Sequence, residues 1–334
     1  MSTGLVTLFG GSGFIGHYAA RALVEAGYRV RIAVRRPHLA GDVRLAGPPG
    51  WIDIAQANVR NRLSVERAIE GADAVVNLVG ILYEKGRQSF ESAQLGGAQT
   101  VAECAAAAGI KRFVQISAIG ADENSESDYA RTKALAEQAV RDAIPEAVIL
   151  RPSIVFGPED DFFNKFAGMA AHPVSNVAPF LPAIGGGKTK LQPVYAGNVA
   201  EAIAAAVSRD DVQGKTYELG GPRTYTFNEL YDFIGETIDR KRYALPLPYF
   251  VAKPMGLTFG AIWKIPFLPL HTVLGPPPIT GDQVDMLKTD NVVADDALTL
   301  KDLGIQDIES IESIVPTYLW RYRAYGEFHQ KGEA

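Results

Sequence analysis

Short β-branched and aliphatic runs alternate with longer Ala-rich stretches through the first half of the chain. The runs are LVTLF (5–9), RVRIAV (29–34), IDIAQANV (52–59), AVVNLV (74–79), RFVQIS (112–117) and AVILRP (147–152). Each reads as a buried strand. Between them, FIGHYAARALVEAG (14–27), RLSVERAIEG (62–71), GGAQTVAECAAAAG (96–109) and YARTKALAEQAVRDA (129–143) read as helices, the first closed by Gly27 as a C-terminal cap. Strict alternation demands right-handed crossovers and a parallel sheet covered on both faces. The expected fold is therefore α/β, a Rossmann-type doubly wound sheet, with a smaller mixed lobe after it.

Beyond Pro152 the alternation breaks up. Clusters such as PAIGGGKTK, LPLP and GPPPITG punctuate the chain, and helical patterns remain near 196–207, 227–238 and 300–325. TFNE (226–229) has the spacing of a capping box and starts one of these helices. Residues 1–155 form the expected main domain, its sheet completed by strands from 190–225. Residues 156–334 form the smaller lobe.

The stretch LFGGSGFIG sets Gly10, Gly13 and Gly16 three residues apart, with Ser12 between them, at the turn from first strand to first helix. At that place glycine allows a tight turn, close approach of backbone to a pyrophosphate, and close packing of helix on strand. The helix start adds unpaired N–H groups and a positive dipole end. A dinucleotide is the ligand that this loop suits. An acidic residue at the end of the second strand would bind a ribose 2′-hydroxyl; here the strand ends in Arg35 and Arg36. Two guanidiniums suit a 2′-phosphate, so NADP(H) is favoured, with NAD(H) the alternative.

Bulk composition narrows the chemistry. The formal charge is −5 over 334 residues, which argues against nucleic acid as a partner. Cys104 is the only cysteine and lies in an Ala-rich helical run, so an internal disulfide and a thiolate cluster held by this chain alone are excluded and the residue reads as core. The five histidines, at 17, 38, 172, 271 and 329, are too dispersed for a metal site. Redox chemistry would need an organic cofactor. The apolar run begins within a few residues of Met1 and no run reaches the length of a membrane span, so the expectation is a cytoplasmic protein of a bacterium.

Tyr-x-x-x-Lys occurs twice, as Tyr129/Lys133 in YARTK and as Tyr249/Lys253 in YFVAK. Only the first begins a helix that follows a strand, the fifth, whose end carries Ser117. In open α/β sheets ligands lie beyond the carboxyl ends of the strands, so Ser117, Tyr129 and Lys133 are expected at the nicotinamide. Lys133, on the same helix face, would lower the phenol's pKa and hold a ribose. Tyr129 would be general acid or base and Ser117 would orient a carbonyl.

With GGSGFIG, NLVG (77–80), Ser117, YARTK and RPSIVFGP (151–158), the chain resembles the extended and atypical short-chain dehydrogenase/reductase superfamily. The resemblance implies that Phe14 and Ile15 continue the phosphate loop, that Val79 and Gly80 flank the adenine ribose, and that Pro152 and Ser153 edge the nicotinamide. Asn58 stands where the superfamily usually has an aspartate against adenine. RDAIPEAVILRPSIVFGPEDDFFNKFAGM, QPVYAGNVAEAI, GKTYELGGP, LPLPYFVAK and PITGDQVDML extend the resemblance along nearly the whole chain, to the dehydrogenase-like accessory subunits of respiratory complex I. That likeness implies an NADPH held for structural or regulatory use, a triad that need not catalyse, and a C-terminal lobe docked near the membrane and the quinone region.

Residues 240–281 contain five Lys or Arg and no acid, leaving 28 cations against 38 acids in the rest. The segment is aromatic and broken by prolines, as suits an anionic membrane surface or an apolar partner. Two functions follow. One is an accessory subunit of complex I, peripheral on the inner face of a bacterial plasma membrane. The other is a free NAD(P)-dependent reductase or epimerase, acting on a carbonyl or nucleotide sugar through Ser117, Tyr129 and Lys133, with the basic segment as a lid.

Overall fold

The computed structural model describes residues 4–86, 88–172, 180–263, 277, 279–324 and 326. Seven parallel strands form the main sheet, in the order β11-β6-β5-β4-β1-β2-β3. They are β1 (Leu5–Phe9), β2 (Arg29–Val34), β3 (Ile52–Gln56), β4 (Ala74–Asn77), β5 (Arg112–Ile116), β6 (Val148–Pro152) and β11 (Thr216–Leu219). The order reverses at β1, which pairs with β2 on one side and β4 on the other. That reversal opens a crevice at the carboxyl ends of the strands.

Helices cover both faces. α1 (Phe14–Glu25) and α6 (Ala196–Ser208) bury Leu23 and Ile203 against Leu8, Ile32 and Leu150 of the sheet. On the other face α2 (Arg62–Ile69), α3 (Gly96–Ala107) and α4 (Asp128–Ala143) bury Val65, Val101 and Val140 against Phe9, Phe113 and Ile149. Cys104 lies in this second core with its thiol free. Gly27, at φ 90°, ends α1 by a Schellman pattern in which Gly27 and Tyr28 N–H donate to Val24 and Leu23 carbonyls, both at 2.9 Å.

The remaining elements sit over the crevice. α5 (Phe162–Ala171), α7 (Phe227–Thr237) and α8 (Tyr249–Trp263) surround the strand pair β8 (Phe180–Ile184) and β13 (Tyr243–Leu247). The capping box holds: Thr226 accepts from Glu229 N–H while Glu229 accepts from Thr226 N–H. The stretch 300–325 departs from its helical pattern. Gly304 at φ 86° stops a single turn after Leu303, and α-helix is limited to Ile311–Ile314 and Pro316–Leu319. Leu300 and Leu303 instead plug the core beside α6. Of the basic segment 240–281, residues 264–276 and 278 lie outside the described residues. Among the described residues no helix is long and apolar enough to cross a membrane.

Candidate functional site

A single cleft of about 1070 Å³ runs from the glycine loop, past the ends of β4, β5 and β6, into the space between α5, α7 and α8. Its first half is built largely of backbone. Gly10 has φ 78°, and a Cβ there would stand 3.3 Å from the Leu78–Val79 peptide. Gly13 caps α1 with no side-chain bond, and the first turn carries no acid, so the positive end of the helix is open to an anion. A Cβ on Gly16 would meet the Gly11 backbone at 2.5 Å, closer than any real contact, so helix and turn can pack only without one. These three constraints are those of a pyrophosphate cradle, and the loop fits the diphosphate of a dinucleotide.

Ser12, Phe14, Ile15, Arg35, Asn58, Val79, Gly80, Pro152 and Ser153 line the same cleft, together with Ser117, Tyr129 and Lys133. Arg36 does not: it is exposed and its position falls outside the lining. Arg35 is exposed at the rim, and no hydrogen bond or ion pair engages its guanidinium among the described residues. Asn58 Oδ1 accepts from Arg60 N–H at 3.1 Å, fixing the turn after β3. Buried Asn77 sets the next turn, its Oδ1 accepting from Val79 N–H at 3.2 Å and its Nδ2 donating to Gln115 at 2.9 Å.

The triad is only partly free for catalysis. Lys133 is 5% exposed, and its Nζ donates to the Ile116 carbonyl at 3.1 Å. Burial pulls its ammonium down to about 8, with Glu137 opposing. Nζ lies 5.7 Å from the centroid of the Tyr129 ring. Burial, with a smaller contribution from Asp282, pushes the Tyr129 phenol up to about 12. The lysine thus does not lower this phenol, because it faces a carbonyl and the ring, and desolvation wins. No hydrogen bond engages the Tyr129 hydroxyl among the described residues. Ser117 is occupied: its buried hydroxyl donates to Glu137, which also takes a bidentate pair from Arg151 at 2.7 and 2.9 Å. Ser153 is also held, its Oγ 2.6 Å from Asn291 Oδ1.

Several groups here have no counterpart in the sequence reading. Glu137 lies four residues after Lys133, one turn along the same face, and that spacing was the available signal. Asp282, far along the chain, accepts from Ser127 Oγ at 3.0 Å and Asp128 N–H at 2.6 Å, capping the helix that carries Tyr129. The second half of the cleft is walled by Phe162, Phe166, Phe227, Tyr231, Met169 and Met255, with Lys165 among them. Tyr249 and Lys253, contrary to expectation, also open a helix directly after a strand, β13, but they serve packing: the tyrosine hydroxyl donates to the Leu287 carbonyl at 2.7 Å and the lysine pairs with Asp285 at 2.9 Å.

A Rossmann-type sheet whose glycine turn faces a Tyr-x-x-x-Lys helix defines a nicotinamide-dinucleotide-binding class. The chain belongs to the NAD dependent epimerase/dehydratase family, whose model matches residues 6–220. It is 36% identical over 326 residues to the mitochondrial NADH dehydrogenase [ubiquinone] 1 alpha subcomplex subunit 9 of Arabidopsis thaliana, covering 96% of this chain and 79% of that protein. It is also 32% identical over 267 residues to the ceramide reductase of Caulobacter vibrioides, covering 78% of this chain and 77% of that one. Among solved structures, the triphenylmethane reductase of a Citrobacter species superposes with a TM-score of 0.71 at 18% identity, covering 96% of this chain and 99% of that one.

Proposed function

We propose that this chain is an accessory subunit of a respiratory NADH:quinone oxidoreductase that holds NADP(H) in the cleft for structural or regulatory use. The observation that carries the reading is the chain-long similarity to a subunit so named, which extends well past the family's 6–220 core into the second lobe. The bound state of Ser117 supports a structural role, since a serine that already donates to Glu137 is not free to donate to a substrate carbonyl. Arg35, unengaged at the rim, supports the 2′-phosphate. The docking face is the described part of the basic segment, where Phe250 and Leu257 are 78% and 58% exposed beside Lys253. Such a face suits the anionic inner surface of a membrane or an adjoining apolar subunit. Purification of the tagged chain from native membranes in mild detergent, with the nucleotide identified by mass, tests the proposal. Copurification of the quinone oxidoreductase with NADP(H) is expected; a chain recovered alone from the soluble fraction would refute it.

One observation favours a second reading, a free reductase: the Tyr129 hydroxyl is unengaged in the cleft beside Lys133. The ceramide reductase likeness supports a carbonyl substrate carried on a long chain. Tyr129→Phe separates the readings. It would end turnover of such a substrate under the second and leave complex assembly unchanged under the first.

A further inference from the structure

The second half of the cleft differs chemically from the first. Phe162 and Phe166 of α5 stack edge-to-face with Phe227 and Tyr231 of α7, with ring centroids 5.0 to 5.5 Å apart. The Tyr231 hydroxyl donates to the Pro182 carbonyl at 3.0 Å, so its donor is spent and the wall is predominantly aromatic. Met169 and Met255 are adaptable parts of the lining. The polar groups nearby are mostly satisfied: Thr189 donates to the Leu287 carbonyl, Asp290 accepts from Lys190 N–H at 2.8 Å, and Asp285 takes Lys253 and Lys288 at 2.9 Å each.

Lys165 is the exception. It stands on α5 between Phe162 and Phe166, half-buried in the cleft lining. Among the described residues its Nζ reaches only the Pro277 carbonyl, at 3.4 Å, longer than an ordinary N–H···O bond. No carboxylate lies within ion-pair distance of it among the described residues, and Asp161, one turn earlier, is exposed. Burial pulls its pKa down, with Asp161 opposing from a distance.

We propose that this half of the cleft binds a long-chain amphiphile with a single anionic head, the chain along the phenyl wall and the head at Lys165. Each alternative leaves a mismatch. A neutral chain would leave the ammonium partly desolvated with no carboxylate in contact among the described residues, Asp161 acting only from a distance. A nucleotide diphosphate would bring two phosphates to one cation, with Asp161, Asp285 and Asp290 also in the lining. A fatty carboxylate and a lipid with one phosphate share the required chemistry. The site is separate from the proposal of complex membership and rests on the lobe's own residues.

The experiment uses the delipidated full chain with its nucleotide bound, titrated with cis-parinarate by fluorescence. Saturable binding is expected, displaced by palmitate. Among shorter saturated acids, affinity is expected to rise by up to about fourfold per added methylene until the pocket is full. Lys165→Met is expected to weaken palmitate roughly tenfold or more and to leave hexadecanol unchanged, since only the charged head loses its partner. Met255→Asp, at a side chain already 42% exposed, places a charge on the opposite wall without emptying the core and is expected to weaken both. Competition by palmitate against lysophosphatidate, with the lipid extracted from undelipidated protein identified by mass, assigns the head as carboxylate or phosphate. Absence of saturable binding, binding indifferent to both substitutions, or displacement by UDP-glucose would each overturn the proposal. None of these outcomes touches copurification with the quinone oxidoreductase, so the two proposals fail separately.

Discussion

Two helices of this chain carry a tyrosine four residues before a lysine, and their surroundings treat the pairs in opposite ways. On α8, Tyr249 gives its proton to the Leu287 carbonyl and Lys253 meets Asp285. Every charge or dipole in that pair is answered by protein. On α4, the Tyr129 hydroxyl has no protein partner among the described residues, and Lys133 is buried with one carbonyl for its charge. A fold driven only by stability would not place an ammonium there, because one carbonyl, the face of a phenol ring and the more distant Glu137 repay its desolvation only in part. A reactive motif is marked by what its environment leaves unanswered.

Substitution of the two lysines breaks this comparison most sharply. Lys133→Met keeps the stem and removes the charge, and the Ile116 carbonyl retains Gln115 Nε2 at 2.9 Å. Below about pH 8 the lysine is charged both folded and unfolded, and the fold bears the whole desolvation cost. Between about 8 and 10.5 the folded lysine is neutral while the unfolded one is still charged, so stability rises with pH; above that the two states match. The nucleotide-free variant is therefore expected to be more stable than wild type by roughly 2 kcal/mol at neutral pH, with the margin shrinking as pH rises through that window. Nucleotide affinity is expected to fall roughly ten- to a hundredfold, from loss of a charged donor. Urea unfolding across pH and calorimetric titration measure both. A variant that is less stable at neutral pH, or that binds nucleotide as wild type does, would contradict this.

Why α4 and not α8 was legible from sequence, whereas its occupied serine was not, has a physical answer. Parallel strands buried on both faces leave continuous apolar runs, and crossover helices leave their own period, so the order from Leu5 to Pro152 is written locally. Gly13 and Gly16 are local too, since each faces backbone within five residues, whereas Gly10 faces the Leu78–Val79 peptide beyond β4, the strand beside β1. The unread features join distant segments. Arg151 and Glu137 enclose Ser117 from two elements, and Asp282 caps α4 across 154 residues from Asp128. The aromatic wall couples α5 to α7. Such pairings carry no periodicity. The helical reading of 300–325 holds only from Ile311 to Tyr322, and its first part fails for a related reason: Leu300 and Leu303 have helical spacing but serve as a one-turn plug in a core that other elements built.

The neighbouring arginines differ in the same way. Arg35 lines the cleft and Arg36 does not. Arg35→Ala is expected to weaken NADPH by roughly tenfold or more and NADH by less than about twofold, since only the 2′-phosphate makes a charged bond to it. Arg36→Ala is expected to change neither by more than about twofold. Equal losses for both nucleotides in Arg35→Ala would remove that arginine from 2′-phosphate recognition.

The tyrosines give a smaller contrast, in stability alone. Tyr249→Phe deletes a hydrogen bond to a carbonyl and is expected to cost about 1 kcal/mol. Tyr129→Phe deletes a hydroxyl with no protein partner and is expected to be neutral within about 0.5 kcal/mol, with nucleotide retained. Thermal unfolding of the two variants side by side decides it; a larger loss at Tyr129 than at Tyr249 would reverse the assignment of which pair serves packing.

The smallest effect belongs to Lys253. Its side chain is 41% exposed, and the carboxylate it meets is shared with Lys288 at the same 2.9 Å. Lys253→Met therefore leaves Asp285 paired, and the cost is expected to be that of a partly exposed ion pair, below about 1 kcal/mol. The sign is the useful part, because the same change at Lys133 is expected to stabilise. Nucleotide affinity should not move. If Lys253→Met stabilised the nucleotide-free fold as much as Lys133→Met, the strain attributed to the α4 lysine would be a property of lysine substitution in general, and the contrast between the two helices would lose its physical basis.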